Sequence, residues 1–102
     1  MRRMRRGYVG ILSVDLHFPT SRSLKGKRKE LVSVKAQLQR RFGASVAEVD
    51  HHDLWQRARL TLSCVGRTYR DVDELLAGAE RYLAGQPFEL GPSQREVVTL
   101  DE

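Results

Sequence analysis

Basic side chains crowd one short stretch of the chain, and this stretch coincides with the predicted start of a helix. Its cations are Arg22, Lys25, Lys27, Arg28 and Lys29. The amino end of a helix is already positive through its macrodipole, so each cation there costs an isolated helix about 0.3 to 1 kcal/mol. A phosphate group would reverse that sign, because the backbone amides of residues 24 to 27 would donate to it while the cations pair with it. The stretch therefore predicts an anion site.

Three more cations would extend this site along the same predicted helix. They are Lys35, Arg40 and Arg41. Together the eight side chains predict contacts to the phosphates of an RNA backbone, with an affinity that depends strongly on salt and little on base sequence. The alternative is a solvated basic face, which is the usual role of runs of Lys and Arg on a protein surface.

Two other groups of titratable residues suggest different chemistry. The run His51–Asp53, together with His17, contains metal-ligand types, but no second ligand pair is spaced to complete a site. Glu48 and Asp50 are two residues apart and should share a strand face, which suits general acid–base chemistry, yet no nucleophile accompanies them. The sequence predicts no catalytic, metal or cofactor site and therefore no enzyme. A small phosphate-ester enzyme that depends on Asp50 or the adjacent histidine is the remaining enzymatic alternative.

Base-specific RNA recognition is not expected from the central strands. The segment Arg57–Cys64 lacks the stacking aromatics that an RNA-recognition motif carries there. Arg57 and Arg59 would instead share the open face of the sheet with Asp15 and His17, as a lattice of cross-strand ion pairs.

Apolar side chains offer two candidate contacts with a partner. Trp55 is the single tryptophan, and it either packs over the end of the core or anchors another molecule. Val9, Ile11 and Val65 would share the open sheet face, and a second sheet that covered them would make a homodimer.

Six predicted elements position these residues. Period-2 alternation predicts strands over residues 8–19, 44–51, 57–65 and 94–100, and apolar stripes at helical spacing predict helices over 24–42 and from Thr68 to Gly85. Ser23 is the expected cap of the first helix, and the pair Gly91–Pro92 is placed just before the last strand, at a sheet edge. This order predicts an α+β fold of the ferredoxin-like split βαβ type, a four-stranded antiparallel sheet with two helices on one face.

Length and charge set limits on the class of protein. The 102 residues suit one domain, which we place at residues 8–102, after a flexible basic N-terminal extension at 1–7. Twelve of the 18 Lys and Arg lie at or before Arg41 with only two acids, Asp15 and Glu30, so that part carries +10 and the remainder −5. No segment has the length and apolarity of a membrane span. With a single cysteine, Cys64, the chain is expected to be cytoplasmic.

Three blocks of sequence resemble the YlxP-like family. They are YVG at Tyr8–Gly10, SLKGKR at Ser23–Arg28, and the segment Val46–Ala58. The resemblance implies a small bacterial cytoplasmic protein with a ferredoxin-like fold, in a family described as a domain of unknown function. Its members are often encoded near translation and ribosome-maturation factors, which implies a role linked to RNA. This chain departs from the family at Gly26, where Glu is usual, so a capping box with Ser23 is not expected.

These observations predict a non-enzymatic accessory protein without cofactors that binds structured RNA or a ribosomal particle through the basic helix start and the N-terminal arm. The alternative is a homodimeric protein-interaction module with no nucleic-acid role. In that alternative Trp55 or the open sheet face contacts another polypeptide, and the basic helix only maintains solubility.

Overall fold

The computed structural model describes residues 4–101 and contains the six elements in the predicted order. They are β1 (Tyr8–His17), α1 (Leu24–Phe42), β2 (Ser45–Asp50), β3 (Arg57–Gly66), α2 (Tyr69–Ala84) and β4 (Glu89–Thr99). The strands form one antiparallel sheet in the order β2-β3-β1-β4. The ferredoxin-like α+β fold is thereby confirmed.

The sheet has one covered and one open face. Alternate residues of β1 and β3 point towards the helices and are fully buried, as Leu12, Leu16 and Leu60 show. The apolar stripes of both helices join the same cluster, so the core lies between the helix layer and the sheet. Ser13 and Thr61 lie between these buried positions and belong to the open face, where their hydroxyl groups are hydrogen-bonded at 2.9 Å.

The first helix begins with a formed cap although the second half of a capping box is missing. Ser23 Oγ accepts from the amide of Gly26 at 3.0 Å, and Ser23 O accepts from the amide of Lys27 at 3.2 Å. These two amides are therefore occupied, which corrects the expectation of free amides over residues 24 to 27. The helix ends at Gly43, whose left-handed conformation (φ 61°) favours glycine.

The last strand is longer than predicted. It begins at Glu89 rather than at residue 94, so Gly91 and Pro92 lie inside it. Because β4 is an edge strand, the missing amide of Pro92 leaves no gap in the sheet, and the pairing with β1 shifts register between Val14 and Leu16. An added Cβ at Gly91 would lie 3.1 Å from Asp15 Cβ, so glycine permits this close approach.

A register shift in β2 corrects the prediction that Glu48 and Asp50 share a face. Glu48 pairs with Leu60 and Asp50 pairs with Arg59, so the two residues are separated by a β-bulge. A bulge inserts one residue into a strand and reverses the side on which later side chains lie. Glu48 therefore lies on the helix side and Asp50 on the open side, and the two carboxylates do not form a site.

The β1–α1 loop (residues 18–23) and the β2–β3 loop (residues 51–56) meet at one end of the sheet, which we call the Trp55 end. The amide of Phe18 donates to Gln56 O at 2.8 Å. The start of α1 is therefore held beside the hairpin loop.

The residues just before β1 and just after β4 meet at the opposite end of the sheet. The amide of Arg6 donates to an Asp101 carboxylate oxygen at 2.8 Å, and the Thr99 hydroxyl donates to Gly7 O at 2.8 Å. The predicted flexible extension over residues 1–7 lies partly outside the described residues, and its last two residues are tied to the end of β4. Arg6 and Gly7 therefore lie far from the start of α1.

Candidate functional site

Lys27 does not lie on the surface with the other cations of α1. Its side chain is fully buried, and its ammonium group donates to three backbone carbonyls, those of His51 at 2.8 Å, Arg57 at 3.0 Å and His52 at 3.3 Å. A carboxylate oxygen of Glu48 lies 3.0 Å away. An ammonium group whose three hydrogens are engaged inside the protein has none left for a phosphate. Lys27 is therefore removed from the predicted phosphate-binding set.

The helical period explains the position of Lys27. It lies four residues before Leu31 and on the same stripe as Val34 and Leu38, which are the other buried residues of α1. Its charge suggested a surface role, whereas its spacing from these apolar residues indicated the buried one. The spacing was the signal available in the sequence.

Glu48 serves mainly as a countercharge for Lys27. Its Oε2 atom is buried and receives no hydrogen bond from the described residues, even though the ammonium nitrogen is only 3.0 Å distant. The two observations agree if the ammonium hydrogens point at the three carbonyls, which leaves a Coulombic contact between the two side chains. The bulge in β2 places the carboxylate on the side of the sheet where this contact forms.

The other predicted cations of α1, apart from Arg41, lie on the solvent-facing side of the helix or on one flank of it. With 3.6 residues per turn, Lys25, Lys29 and Arg40 lie opposite the buried stripe and are exposed. Arg28 and Lys35 lie on one flank. Arg22 is exposed in the loop just before the helix.

Arg41 lies apart from these residues, towards α2. Its guanidinium carbon is 5.0 Å from the ring centroid of Tyr82 and 5.6 Å from that of Phe42. These distances are within the range of cation–π contacts. Arg28 and Lys35 consequently lie on the flank of α1 that faces away from α2.

Besides Arg41, whose guanidinium group lies over two aromatic rings, six cations of the predicted set have no carboxylate in salt-bridge contact among the described residues. They are Arg22, Lys25, Arg28, Lys29, Lys35 and Arg40. We call these residues the α1 cations. Four of the six arginines after Arg41, in contrast, have such partners: Arg57, Arg59, Arg70 and Arg95. Positive charge is thus compensated within the fold over much of the second half and left uncompensated along α1.

The ion-pair lattice expected on the open sheet face is confirmed. Asp15 on β1 pairs with Arg57 at 3.3 Å and with Arg59 at 3.2 Å, both on β3. His17 lies 3.3 Å from Glu89 on β4. Arg57 and Arg59 are therefore engaged in ion pairs within the sheet, unlike the α1 cations.

The two helices lie side by side with opposite charge. Helix α1 contains seven Lys and Arg and one Glu, whereas α2 contains two Arg and four acids. Two of those acids, Asp73 and Glu80, bind Arg95 of β4 at 2.9 Å each. Within the helix layer, the net positive charge therefore lies on the α1 side.

Trp55 is 52% exposed and does not pack over the core. Two open clefts adjoin it. The first, of about 460 Å³, is lined by Pro19, Thr20, Ser21, Arg22, Trp55 and Gln56. The second, of about 430 Å³, is lined by His17, Asp53, Leu54, Trp55, Gln56 and Arg57. The tryptophan thus stands between the α1 side and the open sheet face.

His51 and His52 have roles in the backbone structure of the hairpin loop. His51 has a positive φ of 65°, and an imidazole nitrogen of His52 lies 3.0 Å from Glu48 O. The described part of the chain contains no group of three or more His, Cys, Asp or Glu side chains suited to a metal ion. Cys64 is buried, and this burial raises the pKa of its thiol.

Over residues 4–101, no helix is both long and apolar enough to cross a membrane.

Comparisons with known proteins identify the fold and the family. No curated protein matches the sequence. The fold resembles part of a VAO-type flavoprotein from Myceliophthora thermophila C1, with a TM-score of 0.55 and 20% identity over 96% of this chain and 17% of that chain. At that identity the likeness shows the fold alone. A family model described as "Protein of unknown function (DUF503)" matches residues 9–91, and the chain belongs to that family.

Proposed function

We propose that this protein is a non-enzymatic accessory protein that binds structured RNA, free or within a ribosomal particle, through the α1 cations. One observation carries the proposal: these six side chains have no carboxylate partner in the described part of the chain. The resemblance to the YlxP-like family adds support by association, because its members are often encoded beside translation factors.

The arrangement favours contact with a backbone rather than with one bound anion. The Ser23 cap already occupies an amide at the helix start, and the α1 cations extend from Arg22 to Arg40 along a helix of 19 residues, about 28 Å long. Phosphates of an RNA strand would contact these side chains in succession and release counterions. Contacts of this kind position a protein on RNA without reading its bases.

Charge reversal at Lys25 and Lys29 tests the proposal. We expect the double variant Lys25→Glu, Lys29→Glu to bind a structured ribosomal RNA fragment at least about 10-fold more weakly at low salt. The slope of log K against log salt should become shallower by about 1.4 to 1.8, since each of the two lost phosphate contacts contributes about 0.7 to 0.9. Fluorescence anisotropy of labelled RNA at several salt concentrations measures both quantities.

A matched control separates the site from net charge. The variant Arg67→Glu, Arg70→Glu changes the charge equally at the start of α2 and should bind nearly as wild type. Acids near the start of α1 should also raise the free energy of unfolding slightly, so binding and stability should move in opposite directions. Equal loss in both double variants, or wild-type binding that does not depend on salt, would show the proposal to be wrong.

A second candidate function is a homodimeric interaction module, and the open sheet face supports it. Val9, Val65 and Val98 form one row across β3, β1 and β4 and are 37%, 72% and 42% exposed. Apolar side chains grouped on an uncovered sheet are typical of an interface. We expect Val65→Lys to convert a dimer into a monomer in sedimentation experiments, whereas Val32→Lys on the exposed side of α1 should not. A wild-type protein that is monomeric at all concentrations tested would remove this candidate.

A further inference from the structure

The Trp55 end contains a cleft that contacts along α1 do not explain. The first cleft lies between the exposed ring of Trp55 and Arg22, one of the α1 cations. We propose that this cleft binds one unpaired nucleotide of the RNA, with the base stacked on Trp55 and its phosphate paired with Arg22. The proposal rests on the proposed function, because the α1 cations hold the neighbouring backbone, and it names the part of the RNA that is recognised.

Hydrogen bonds hold the backbone on both sides of Trp55 without any ligand. Gln56 bridges the two loops. Its side-chain amide donates to Ser21 O at 3.3 Å, and its backbone carbonyl accepts from the backbone amide of Phe18 at 2.8 Å. On the other side of Trp55, the amide of Leu54 donates to His51 O at 3.1 Å. Both neighbours of the tryptophan are thus fixed to the backbone of the Trp55 end. A tryptophan whose backbone is held in this way loses little backbone freedom when a base stacks on its ring.

Charge assigns the ligand to the first cleft rather than the second. The first cleft has no acidic residue in its lining, and Arg22 has no carboxylate partner within residues 4–101. The second cleft includes Asp53, and its Arg57 is already paired with Asp15. A phosphate is therefore attracted to the Arg22 side of the tryptophan and repelled from the other side.

The size of the apolar surface favours a base over a polypeptide. Within the two loops of this end, both described in full, Leu54 and Trp55 are the only large hydrophobic side chains that are exposed. A stable protein interface needs roughly 800 Å² from each partner with an apolar centre, which two side chains do not supply. A single aromatic face beside a cation is, in contrast, the usual platform for an unpaired base.

The recognised RNA is then a loop, bulge or end rather than a continuous duplex. Bases within a duplex are stacked on each other, so none is available to Trp55. A strand that leaves a duplex places its unpaired base beside its own phosphates, which matches the adjacency of Trp55 and Arg22. The α1 cations would contact the phosphate backbone of the paired part of the RNA.

The experiment compares two RNAs of equal length and charge, a hairpin with an unpaired loop and a fully paired duplex. Affinity is measured by anisotropy of labelled RNA, and stacking is measured by the fluorescence of Trp55, which is the only tryptophan of the chain. We expect the looped RNA to quench this fluorescence and the duplex to leave it unchanged. We also expect Trp55→Ala to weaken binding of the looped RNA about 10- to 100-fold and to leave binding of the duplex unchanged.

Two further variants sharpen the test. Trp55→Phe should recover part of the affinity because a smaller ring still stacks, and Leu54→Ala should have no effect because Leu54 lines only the second cleft. The nucleotide site is wrong if Trp55→Ala weakens both RNAs equally or neither, or if Trp55→Ala changes the mass of the particle in sedimentation, which would indicate a protein contact. Salt-dependent binding of both RNAs without quenching would overturn the nucleotide site and leave the proposed function intact. Absence of salt-dependent binding to either RNA would overturn both.

Discussion

Lys27 holds the start of α1 against the β2–β3 hairpin. Oxygen atoms of the protein surround its ammonium group in place of water. Burial of an ammonium group costs several kcal/mol unless hydrogen bonds and a countercharge compensate it. Three carbonyls and the Glu48 carboxylate provide that compensation. Because two of the carbonyls belong to the loop that carries Trp55, this contact also fixes the tryptophan relative to Arg22.

Replacement of Lys27 by methionine should therefore destabilise the fold strongly. We expect Lys27→Met to lower the free energy of unfolding by about 3 to 5 kcal/mol, because it leaves a buried carboxylate without a countercharge. Glu48→Gln should cost less, since the ammonium group keeps its three carbonyls. Urea denaturation followed by circular dichroism measures both values. A loss below about 1 kcal/mol for Lys27→Met would contradict the structural role.

The Cys64 thiol should be unreactive in the folded protein. Its side chain is buried, and burial raises the pKa of the thiol, so the thiolate is rarer at a given pH than in the unfolded chain. We expect reaction with a thiol reagent only after urea unfolds the protein. The sign of the shift also predicts that this group's contribution to stability is complete below the thiol's ordinary pKa and is lost at higher pH. Rapid labelling of the native protein at neutral pH would argue against this burial.

Individual residues show which features of the site could be predicted. The α1 cations were singled out from charge alone, and no carboxylate of residues 4–101 forms a salt bridge with them. Lys27 was misplaced because its partners are carbonyls of a distant loop, which no local pattern reveals. The separation of Glu48 from Asp50 was missed because it depends on a bulge in the pairing of β2 with β3.

At the scale of elements, α2 approaches β1 closely at Gly10. A Cβ added there would lie 2.3 Å from Val72 Cγ1 and 2.8 Å from Leu76 Cδ1. The helix would have to move away from the sheet to accommodate even one methyl group. The absence of a side chain at this position therefore sets the distance between the two layers.

We expect Gly10→Ala to lower the free energy of unfolding by about 1 to 3 kcal/mol through overpacking. Gly85→Ala is the matched control, since Gly85 has a right-handed helical conformation and an added Cβ would come no closer than 3.6 Å to another atom. That variant should stay within about 0.5 kcal/mol of wild type. Thermal unfolding monitored by circular dichroism compares the two. Equal stability of both variants would contradict the close packing.

The elements themselves were largely predictable because their signals are local. Periodicity together with the caps at Ser23 and Thr68 gave both helices within a residue of their observed ends. The start of β4 was not predictable from such signals, since Gly91 and Pro92 usually interrupt strands. They are tolerated because β4 is an edge strand and because the pairing of β4 with β1 shifts register between Val14 and Leu16.

The charge of the whole molecule has a direction, because α1 is basic, its neighbour α2 is acidic, and Arg6 lies at the end of the sheet opposite Trp55. An RNA that contacts α1 is thereby oriented, since the α2 side repels its phosphates. Because Arg6 lies far from the proposed nucleotide cleft, the contribution of the N-terminal arginines to affinity should be separable from that of the cleft.

Deletion of residues 2–5 tests that separation. The deletion removes three arginines and keeps Arg6, whose amide binds Asp101. We expect weaker binding of looped and paired RNA alike, a shallower salt dependence, unchanged quenching of Trp55 by the looped RNA, and an unchanged free energy of unfolding. Anisotropy and tryptophan fluorescence on the same samples measure these effects. Loss of quenching in the truncated protein would show that the arm and the cleft are not independent.

The meeting of Arg6 with Asp101 also determines how the protein can be attached to other molecules. Because Arg6 and Asp101 lie side by side, a linker of a few residues between them would suffice for circular permutation or for insertion of residues 6–101 into a surface turn of a host protein. A tag at either end would tether the molecule by the same side. The tryptophan and the first turn of α1 would then face outwards from a bead or sensor surface, free to capture ligands.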